Sequence, residues 1–200
     1  IAHLGTLADE PYTVFRHHTL MNRQADRSVG NDRVRLRALE PEDVAMMFDV
    51  ENDVSIWRYS ERVAPLSRHQ LMQYALDYDA DPFRAGQLRL VIESVEGQMP
   101  VGLGDFYEID INARRAYLVI GREWRGKGFA RAAVDALERY GRDVLHLRRL
   151  AAKIASRNTP SIRLFEEMGY SRIAALPEWF CFGGEPEDLY VYCRDLAAGV

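Results

Sequence analysis

Hydrophobic and polar residues follow regular patterns from residue 33 to near the end of the chain. Val34, Leu36 and Ala38 alternate with arginines, which is typical of a half-buried strand. Two helices are expected next, one opening at Pro41 and one capped by Ser67. Further strands are predicted over 88–95, 100–110, 114–121, 148–156, 171–182 and 188–193, and further helices over 129–140 and 161–168. The order β-α-α-β-β-β-α-β-α-β-β joins hairpins to helical crossovers and predicts an α/β fold whose sheet has mixed strand directions.

The first 32 residues lack this pattern and are expected to lie outside the folded domain. A chain of 200 residues suits a single domain, which we place at 33–200. Residues 1–32 are then an N-terminal arm or an extension foreign to the native chain. Met21 is the first methionine and opens a polar stretch, so we expect it to be the natural start. The alternative is a native arm that packs on a neighbouring molecule.

The composition is that of a folded globular protein. Hydrophobic residues make up 48% of the chain and charged residues 28%, which excludes a disordered or collagen-like chain. The formal net charge is −4. A general nucleic-acid binder is normally basic, so the charge disfavours that class.

Cysteine usage and hydropathy point to a cytoplasmic protein without a membrane partner. Cys181 and Cys193 are expected to be free thiols in a reducing compartment, with a bridge between them as the alternative. Neither the cysteines nor the histidines have the spacing of a metal site, so no metal is expected. No apolar run approaches the roughly 18 residues of a transmembrane helix, and the N-terminal segment lacks a signal peptide's apolar region.

Segment 121–131, with the sequence GREWRGKGFAR, carries the strongest chemical signal in the chain. It lies between a predicted strand and the strongest predicted helix. Its glycines allow successive N–H groups to point into one cavity, and the helix start adds partial positive charge. Four basic side chains crowd this turn: Arg122, Arg125, Lys127 and Arg131. The turn suits a pyrophosphate or another polyanion, and the alternative is a capped turn whose glycines only relieve strain.

Two well-known phosphate motifs fit this turn poorly. Gly121 to Lys127 matches the start of a P-loop, but Gly128 stands where a magnesium-binding Ser or Thr is needed, which disfavours an NTPase. Gly126-x-Gly128 also begins a dinucleotide fingerprint. The strand before it follows a hairpin and is not the first strand of a βαβ unit, so the evidence for a dinucleotide site is weak.

A third motif fits best. Arg125-x-x-Gly128-x-Ala130 resembles the (Gln/Arg)-x-x-Gly-x-(Gly/Ala) acyl-CoA signature of the GNAT superfamily of N-acetyltransferases. Asn158 and the segment 161–170, SIRLFEEMGY, are similar to a second segment of the same superfamily. The resemblance covers about residues 33–196.

Further similarities point to one branch of that superfamily. Segments 57–59, 108–109 and 114–116 resemble the bacterial spermidine N-acetyltransferases and their ribosomal-protein N-acetyltransferase relatives, whereas segment 34–43 resembles the opening strand and helix of the superfamily as a whole. The resemblance implies a GNAT fold, a mixed and mostly antiparallel sheet of six to seven strands with about four helices. It also implies acetyl-CoA as co-substrate, a polyamine such as spermidine as acceptor, and a homodimer or larger homo-oligomer. The alternatives are an acetyltransferase for protein N-termini or lysines, and a CoA-binding GNAT domain with weak catalysis.

The resemblance also assigns residues to the cofactor. In the family the amides of this loop hold the pyrophosphate of acetyl-CoA, and the preceding strand contacts its pantetheine and the oxyanion. The residues implied here are Val119, Ile120, Arg125, Gly126, Lys127, Gly128, Phe129, Ala130, Arg131, Asn158 and Phe165. The amine then attacks the thioester directly. It has to lose a proton first, because an alkylammonium has a pKa near 10.

Two departures from the family pattern concern catalysis and the acceptor. The family's usual acid is a tyrosine where this chain has Phe165, so Tyr170 or a water is the candidate donor; the alternative is that Tyr170 is a core aromatic. The strand 115–121 is about two residues shorter than in the spermidine enzymes, and Tyr117 follows Ala116 where those enzymes have a glutamate.

The expected acceptor side rests on acidic and aromatic residues. Asp105 is the candidate general base or acceptor anchor, and the alternative is a solvated strand residue. Substrate contacts are expected from Glu61, Glu108 and Tyr117, although the two glutamates also suit an ordinary surface. Four aromatic residues either line an acceptor cleft or pack in the core: Trp57, Tyr59, Tyr74 and Tyr78.

Overall fold

A computed structural model describes residues 30–57, 64–120, 128–182 and 184–196. In these ranges the chain forms a seven-stranded sheet with the order β1-β2-β3-β4-β5-β7-β6. The strands are β1 Val34–Arg37, β2 Gln87–Ser94, β3 Pro100–Asp110, β4 Arg115–Ile120, β5 Arg149–Ala155, β6 Ser171–Phe182 and β7 Glu185–Asp195. The helices are α1 Val44–Glu51, α2 Val54–Trp57, α3 Arg68–Leu76, α4 Pro82–Ala85, α5 Phe129–Asp143 and α6 Thr159–Glu167, with a 3-10 turn over Pro41–Asp43.

The predicted fold class is confirmed, and the differences lie in short or polar elements. Helices α2 and α4 were not predicted, because four residues are too few to show a helical period. Helix α4 depends on its cap, where the Asp81 carboxylate accepts hydrogen bonds from the N–H groups of Phe83 and Arg84. Strand β7 begins at Glu185 and not at residue 188, since its polar first residues pair with the end of β6.

One parallel pair interrupts an otherwise antiparallel sheet. Strands β4 and β5 run parallel, and every other neighbouring pair is antiparallel. Parallel neighbours need a crossover, and α5 lies between them in the chain. The start of α5 therefore follows the carboxyl end of β4, and the start of α6 follows that of β5.

Two hydrophobic clusters cover the two faces of the sheet. Helix α5 packs on one face, where Val134 and Leu137 are fully buried with Phe106. Gly104 allows this close packing, because a Cβ there would lie 2.8 Å from Leu137 Cδ1. Each fully buried side chain of this size contributes about 1.5–3 kcal/mol relative to exposure. Helices α1 and α3 pack on the other face, in a cluster centred on Met47, Leu71, Val91 and Leu103.

The last residues of the predicted arm contact the domain. The Asn31 side-chain amide donates hydrogen bonds to Ala132 O, at 2.8 Å, and to Asp135 Oδ2, at 2.9 Å. Gly30 forms a bridge with Arg35. Residues 1–29, which include Met21, lie outside the described residues. The division at residue 33 stays a prediction, and Asn31, on the arm side of it, is bound to α5.

Two further findings concern the thiols and the helices. Cys181 and Cys193 are free, as predicted. Across the described ranges, each helix is too short or too polar to cross a membrane. The cytoplasmic location stays a prediction.

Candidate active site

Strands β4 and β5 part after three residue pairs. Their ladder ends at the pair Tyr117–Ala151. Strand β4 continues to Ile120 in register with β3, and β5 continues to Ala155 in register with β7. Beyond the last pair, the facing main-chain groups of the two strands have no ladder partner across the gap within the described residues. An extended ligand can take up such groups as an added strand does.

The start of α5 lies after this gap in the chain and suits an anion. Gly128 is its N-cap with φ 76°, a left-handed conformation that favours glycine. A Cβ at Gly128 would lie 2.7 Å from Nη1 of Arg33, whose guanidinium lies 5.2 Å above the ring of Phe129. The 15-residue helix places its positive dipole end here. Glycine backbone, helix dipole and guanidinium therefore meet at one point.

The structure describes some of the other predicted cofactor residues and not others. The backbones of Val119 and Ile120 pair with β3 and lie in the part of β4 that has separated from β5, where the pantetheine contact is predicted. Arg131 is bound to Glu167 at 2.7 Å, which ties α5 to α6, and Ala130 is exposed beside it. Arg125, Gly126 and Lys127 lie outside the described residues.

Asn158 has a structural task at the start of α6. Its side-chain oxygen accepts a hydrogen bond from the Ser161 N–H, at 3.4 Å, and caps the helix. Caps of this kind stabilise a protein by about 1 kcal/mol. This role explains the residue without a cofactor, so its cofactor contact stays a prediction.

Phe165 and Tyr170 form one buried aromatic pair. Their rings meet edge to face with centroids 4.9 Å apart. Burial and the neighbouring Glu138 raise the pKa of Tyr170, so it stays protonated near neutral pH. Its hydroxyl is buried near Glu138 and Arg194, with no well-formed hydrogen bond to any residue that the structure describes. This position favours packing over proton donation, and the catalytic role of Tyr170 stays a prediction.

Asp105 lies in a buried ion cluster and is not the solvated residue of the alternative interpretation. It pairs with Arg89 across β2 and β3, and the Arg89 guanidinium donates to both carboxylate oxygens, Nε to Oδ1 at 2.7 Å and Nη2 to Oδ2 at 3.0 Å. Arg89 Nη1 also donates to Glu51 Oε1 at 2.7 Å. Burial raises the pKa of Asp105, and Arg89 opposes that rise.

The predicted aromatic residues surround this cluster. The Tyr74 ring lies 5.5 Å from the Arg89 guanidinium carbon, and burial raises the pKa of Tyr74 to about 12. The Arg89 N–H donates to the Tyr78 hydroxyl. Trp57 donates its indole N–H to Glu51 O at 2.9 Å. Tyr74 and Tyr78 are partly buried against the hydrophobic cluster on the sheet face that carries Asp105, and the acceptor cleft stays a prediction. Tyr59 lies outside the described residues.

Tyr117 belongs to a second cluster on the same face. Its ring lies 5.5 Å from that of Tyr107, its partner in the ladder. Lys153 Nζ lies 4.4 Å from the Tyr117 ring centroid and 5.7 Å from that of Tyr107. The same ammonium donates to Glu108 Oε1 at 2.6 Å. Glu61, the other predicted acceptor residue, lies outside the described residues.

Three residues of this site were missed from the sequence: Arg33, Arg89 and Lys153. Arg89 meets Asp105 only through the β2–β3 register, and Arg33 meets Gly128 only through the packing of β1 on α5. Lys153 carried one signal, since it and Lys127 are the only lysines of the chain.

This arrangement can hold an extended anionic ligand on one side and an amine on the other. The gap between β4 and β5 offers main-chain donors and acceptors, and the start of α5 offers positive charge. The opposite sheet face, with Asp105 and Tyr117, offers carboxylates and aromatic rings to a cation.

Comparison with known proteins agrees with this reading of the geometry. The family model "Acetyltransferase (GNAT) domain" matches residues 33–171. The chain is 27% identical to the spermidine N(1)-acetyltransferase of Vibrio cholerae over 161 residues, which cover 80% of this chain and 91% of the relative. It is 28% identical to the spermidine N(1)-acetyltransferase of Escherichia coli (strain K12) over 162 residues, covering 80% and 84%. A crystal structure of the V. cholerae spermidine N-acetyltransferase with CoA and spermine superposes with a TM-score of 0.75 at 25% identity, covering 84% of this chain and 98% of that one.

Proposed function

The chain belongs to the GNAT family of acetyl-CoA-dependent N-acetyltransferases, and we propose that its acceptor is a primary amine of a polyamine such as spermidine. The observation that carries acetyl transfer is the separation of β4 from β5 beside the glycine N-cap of α5, which suits acetyl-CoA. The relatives that are spermidine acetyltransferases, one of them solved with CoA and spermine, support the choice of acceptor.

The CoA side uses backbone groups and positive charge. Acetyl-CoA supplies an activated thioester. The main chain near Val119 and Ile120, on the side of β4 that has separated from β5, would bind its pantetheine arm. The N–H groups from Gly128 to Arg131 would bind its pyrophosphate. Gly128 is needed because a side chain would strain its φ of 76° and fill the space in front of Arg33. The same β4 N–H groups would stabilise the oxyanion formed in the transition state.

The acceptor side has to hold an ammonium and remove its proton. Asp105 would act as general base, directly or through a water. Each of its oxygens already accepts one hydrogen bond from Arg89, which leaves further lone pairs for an amine or a water. Arg89 thereby fixes the orientation of the carboxylate, and burial raises its pKa, which makes it a better proton acceptor than an exposed aspartate.

The leaving thiolate needs little help from the protein. A thiol has a pKa of about 8.5, so its anion is a tolerable leaving group near neutral pH. Phe165 has no proton to donate. Tyr170 carries one, but its buried hydroxyl would have to reach the gap, so water is the simpler donor.

One observation favours an acetyltransferase for peptides as a second candidate. Asp105 shares Arg89 with Glu51, and Glu108 is paired with Lys153, so two of the three predicted acidic groups already have a cationic partner. A polycation gains less from such a face than from free carboxylates. A peptide N-terminus carries a single positive charge, so its binding depends less on free carboxylates. The replacement at Phe165 keeps a CoA-binding domain with weak catalysis as a further outcome.

The test is acetyl-CoA-dependent thiol release with spermidine, spermine, small diamines and N-terminal peptides. Release with polyamines above the background without amine supports the proposal. Release with peptides alone supports the second candidate. CoA binding without release on any amine would identify a domain with lost catalysis.

We also propose a homodimer or larger homo-oligomer. Strand β6 lies at the edge of the sheet and exposes two large apolar side chains, Ile173 at 64% and Trp179 at 61%. Edge strands with apolar side chains favour pairing with another chain. Sedimentation equilibrium measures the mass directly, and a monomer at micromolar concentration would refute the assembly.

A further inference from the structure

Lys153 lies on β5 just beyond the last residue pair that joins β5 to β4. It follows Ala151 by two residues on β5, and Ala151 is the last residue of β5 that pairs with β4. Side chains two apart on a strand share a face, so Lys153 lies on the face of Tyr117 and not on that of α5. Its ammonium is therefore at the start of the gap, on the acceptor side.

The surroundings of this ammonium are those of a bound alkylammonium ligand. The rings of Tyr107 and Tyr117 lie within cation–π range of it, and it donates a hydrogen bond to the Glu108 carboxylate. Aromatic faces together with a carboxylate form the usual site for such cations. Glu108 has a φ of 49° at an irregularity of β3, a conformation that residues other than glycine rarely adopt. Backbone conformations of this kind concentrate at functional sites.

We propose that Glu108, Tyr107 and Tyr117 form an ammonium subsite of the acceptor cleft, which Lys153 fills with its own ammonium. The proposal rests on the proposed function only in assigning this face to the acceptor. An acceptor that brings a second ammonium to this subsite has to displace Lys153 or lie beside it. Lys153 is therefore a specificity-determining residue that weakens the binding of polycations.

The decisive variant is Lys153→Gln, which removes the charge and keeps a polar side chain at a partly exposed position. We expect it to bind spermidine about tenfold more tightly, the change that about 1.4 kcal/mol of relieved repulsion produces. Lys153→Arg keeps the charge and should bind spermidine within about twofold of the wild type. The double variant K153Q/E108Q should lose the gain, because the subsite then lacks its carboxylate.

Arg149→Gln is the matched control for net charge. Arg149 lies on the same strand about 13 Å away along β5, and its partner is Asp195 at 3.7 Å. Arg149→Gln also removes one positive charge, but outside the subsite. The affinity of this variant for spermidine should therefore stay within about twofold of the wild type.

Affinity is measured by isothermal titration calorimetry of the full chain with spermidine at constant pH and ionic strength. A tenfold gain in K153Q with little change in R149Q supports the proposal. No gain in K153Q, or an equal gain in R149Q, overturns it, and so does undetectable binding by K153Q. The measurement does not depend on turnover. If the wild type releases no thiol with polyamines, the proposed acetyl transfer to polyamines is refuted. The comparison of spermidine affinities still decides separately whether the ammonium subsite exists.

Discussion

Replacing Arg89 by methionine removes a guanidinium that serves two carboxylates and keeps a side chain of similar length. Arg89 donates two hydrogen bonds to Asp105 and one to Glu51. The three side chains are mostly buried, with 19%, 17% and 12% of their surfaces exposed, in the order Arg89, Asp105 and Glu51. The variant therefore leaves two carboxylates close together in a poorly hydrated place.

The expected loss of stability is large. Removing one partner of a buried ion pair costs about 3–5 kcal/mol, mainly because the remaining charge is uncompensated. Two carboxylates lose their partner here, and partial exposure to water reduces the penalty. We therefore expect Arg89→Met to lower the free energy of unfolding by about 3 kcal/mol at pH 7.

The loss should depend on pH in a defined direction. Burial already raises the pKa of Asp105, and Arg89 opposes that rise, so the pKa rises further without Arg89. The folded variant then holds a proton that the unfolded chain releases at an ordinary aspartate pKa of about 3.9. Because the pKa of Asp105 is higher in the folded variant than in the unfolded chain, the folded variant is favoured at low pH. That advantage is lost as the pH rises through the pKa of Asp105 in the folded state. The difference from the wild type should thus be smaller at pH 4.5 than at pH 7.

Urea unfolding at both pH values, followed by circular dichroism, measures this difference. Arg84→Met is the control, because Arg84 binds Asp79 with the same two-pronged geometry at 2.7 and 2.8 Å on the exposed surface. Exposed pairs contribute little, so this control should unfold almost as the wild type does. A loss below about 1 kcal/mol in Arg89→Met at pH 7, or the same loss at both pH values, would refute the reasoning.

Three further predictions concern the proposed reaction. Gly128→Val should abolish CoA binding in a folded protein, because it strains the left-handed backbone and fills the space before Arg33; unchanged affinity by fluorescence titration would contradict the phosphate assignment. Asp105→Asn should lower kcat by about 100-fold with CoA affinity unchanged, and a fall below threefold would exclude Asp105 as general base. Phe165→Tyr should keep CoA binding and raise turnover if donation to the thiolate is limiting, and an unchanged kcat would show that it is not.

The order of the elements followed from hydrophobic periodicity. Helix α5 was the clearest case, because its apolar residues recur at helical spacing and the middle of the predicted stripe, Ala133, Val134 and Leu137, is buried. Ala130, at the start of that stripe, is exposed. Strand β3 was predicted with the bounds that the structure shows. Helices α2 and α4 escaped prediction because four residues held by caps and local contacts leave no period to detect. The anion-binding loop could also be predicted, because its glycines and basic residues are contiguous in the sequence and directly precede a helix.

The site needed the tertiary structure wherever two distant segments meet. The sequence by itself determined the fold class, the helix start at Gly128 and the acidic and aromatic candidates Asp105 and Tyr117. Only the fold decided that Arg89 binds Asp105 and that Lys153 meets Glu108, 45 residues away in the chain. The physical reason is that periodicity reports which face of an element is buried. Strand register, which brings charged side chains into contact, depends on how the elements pack.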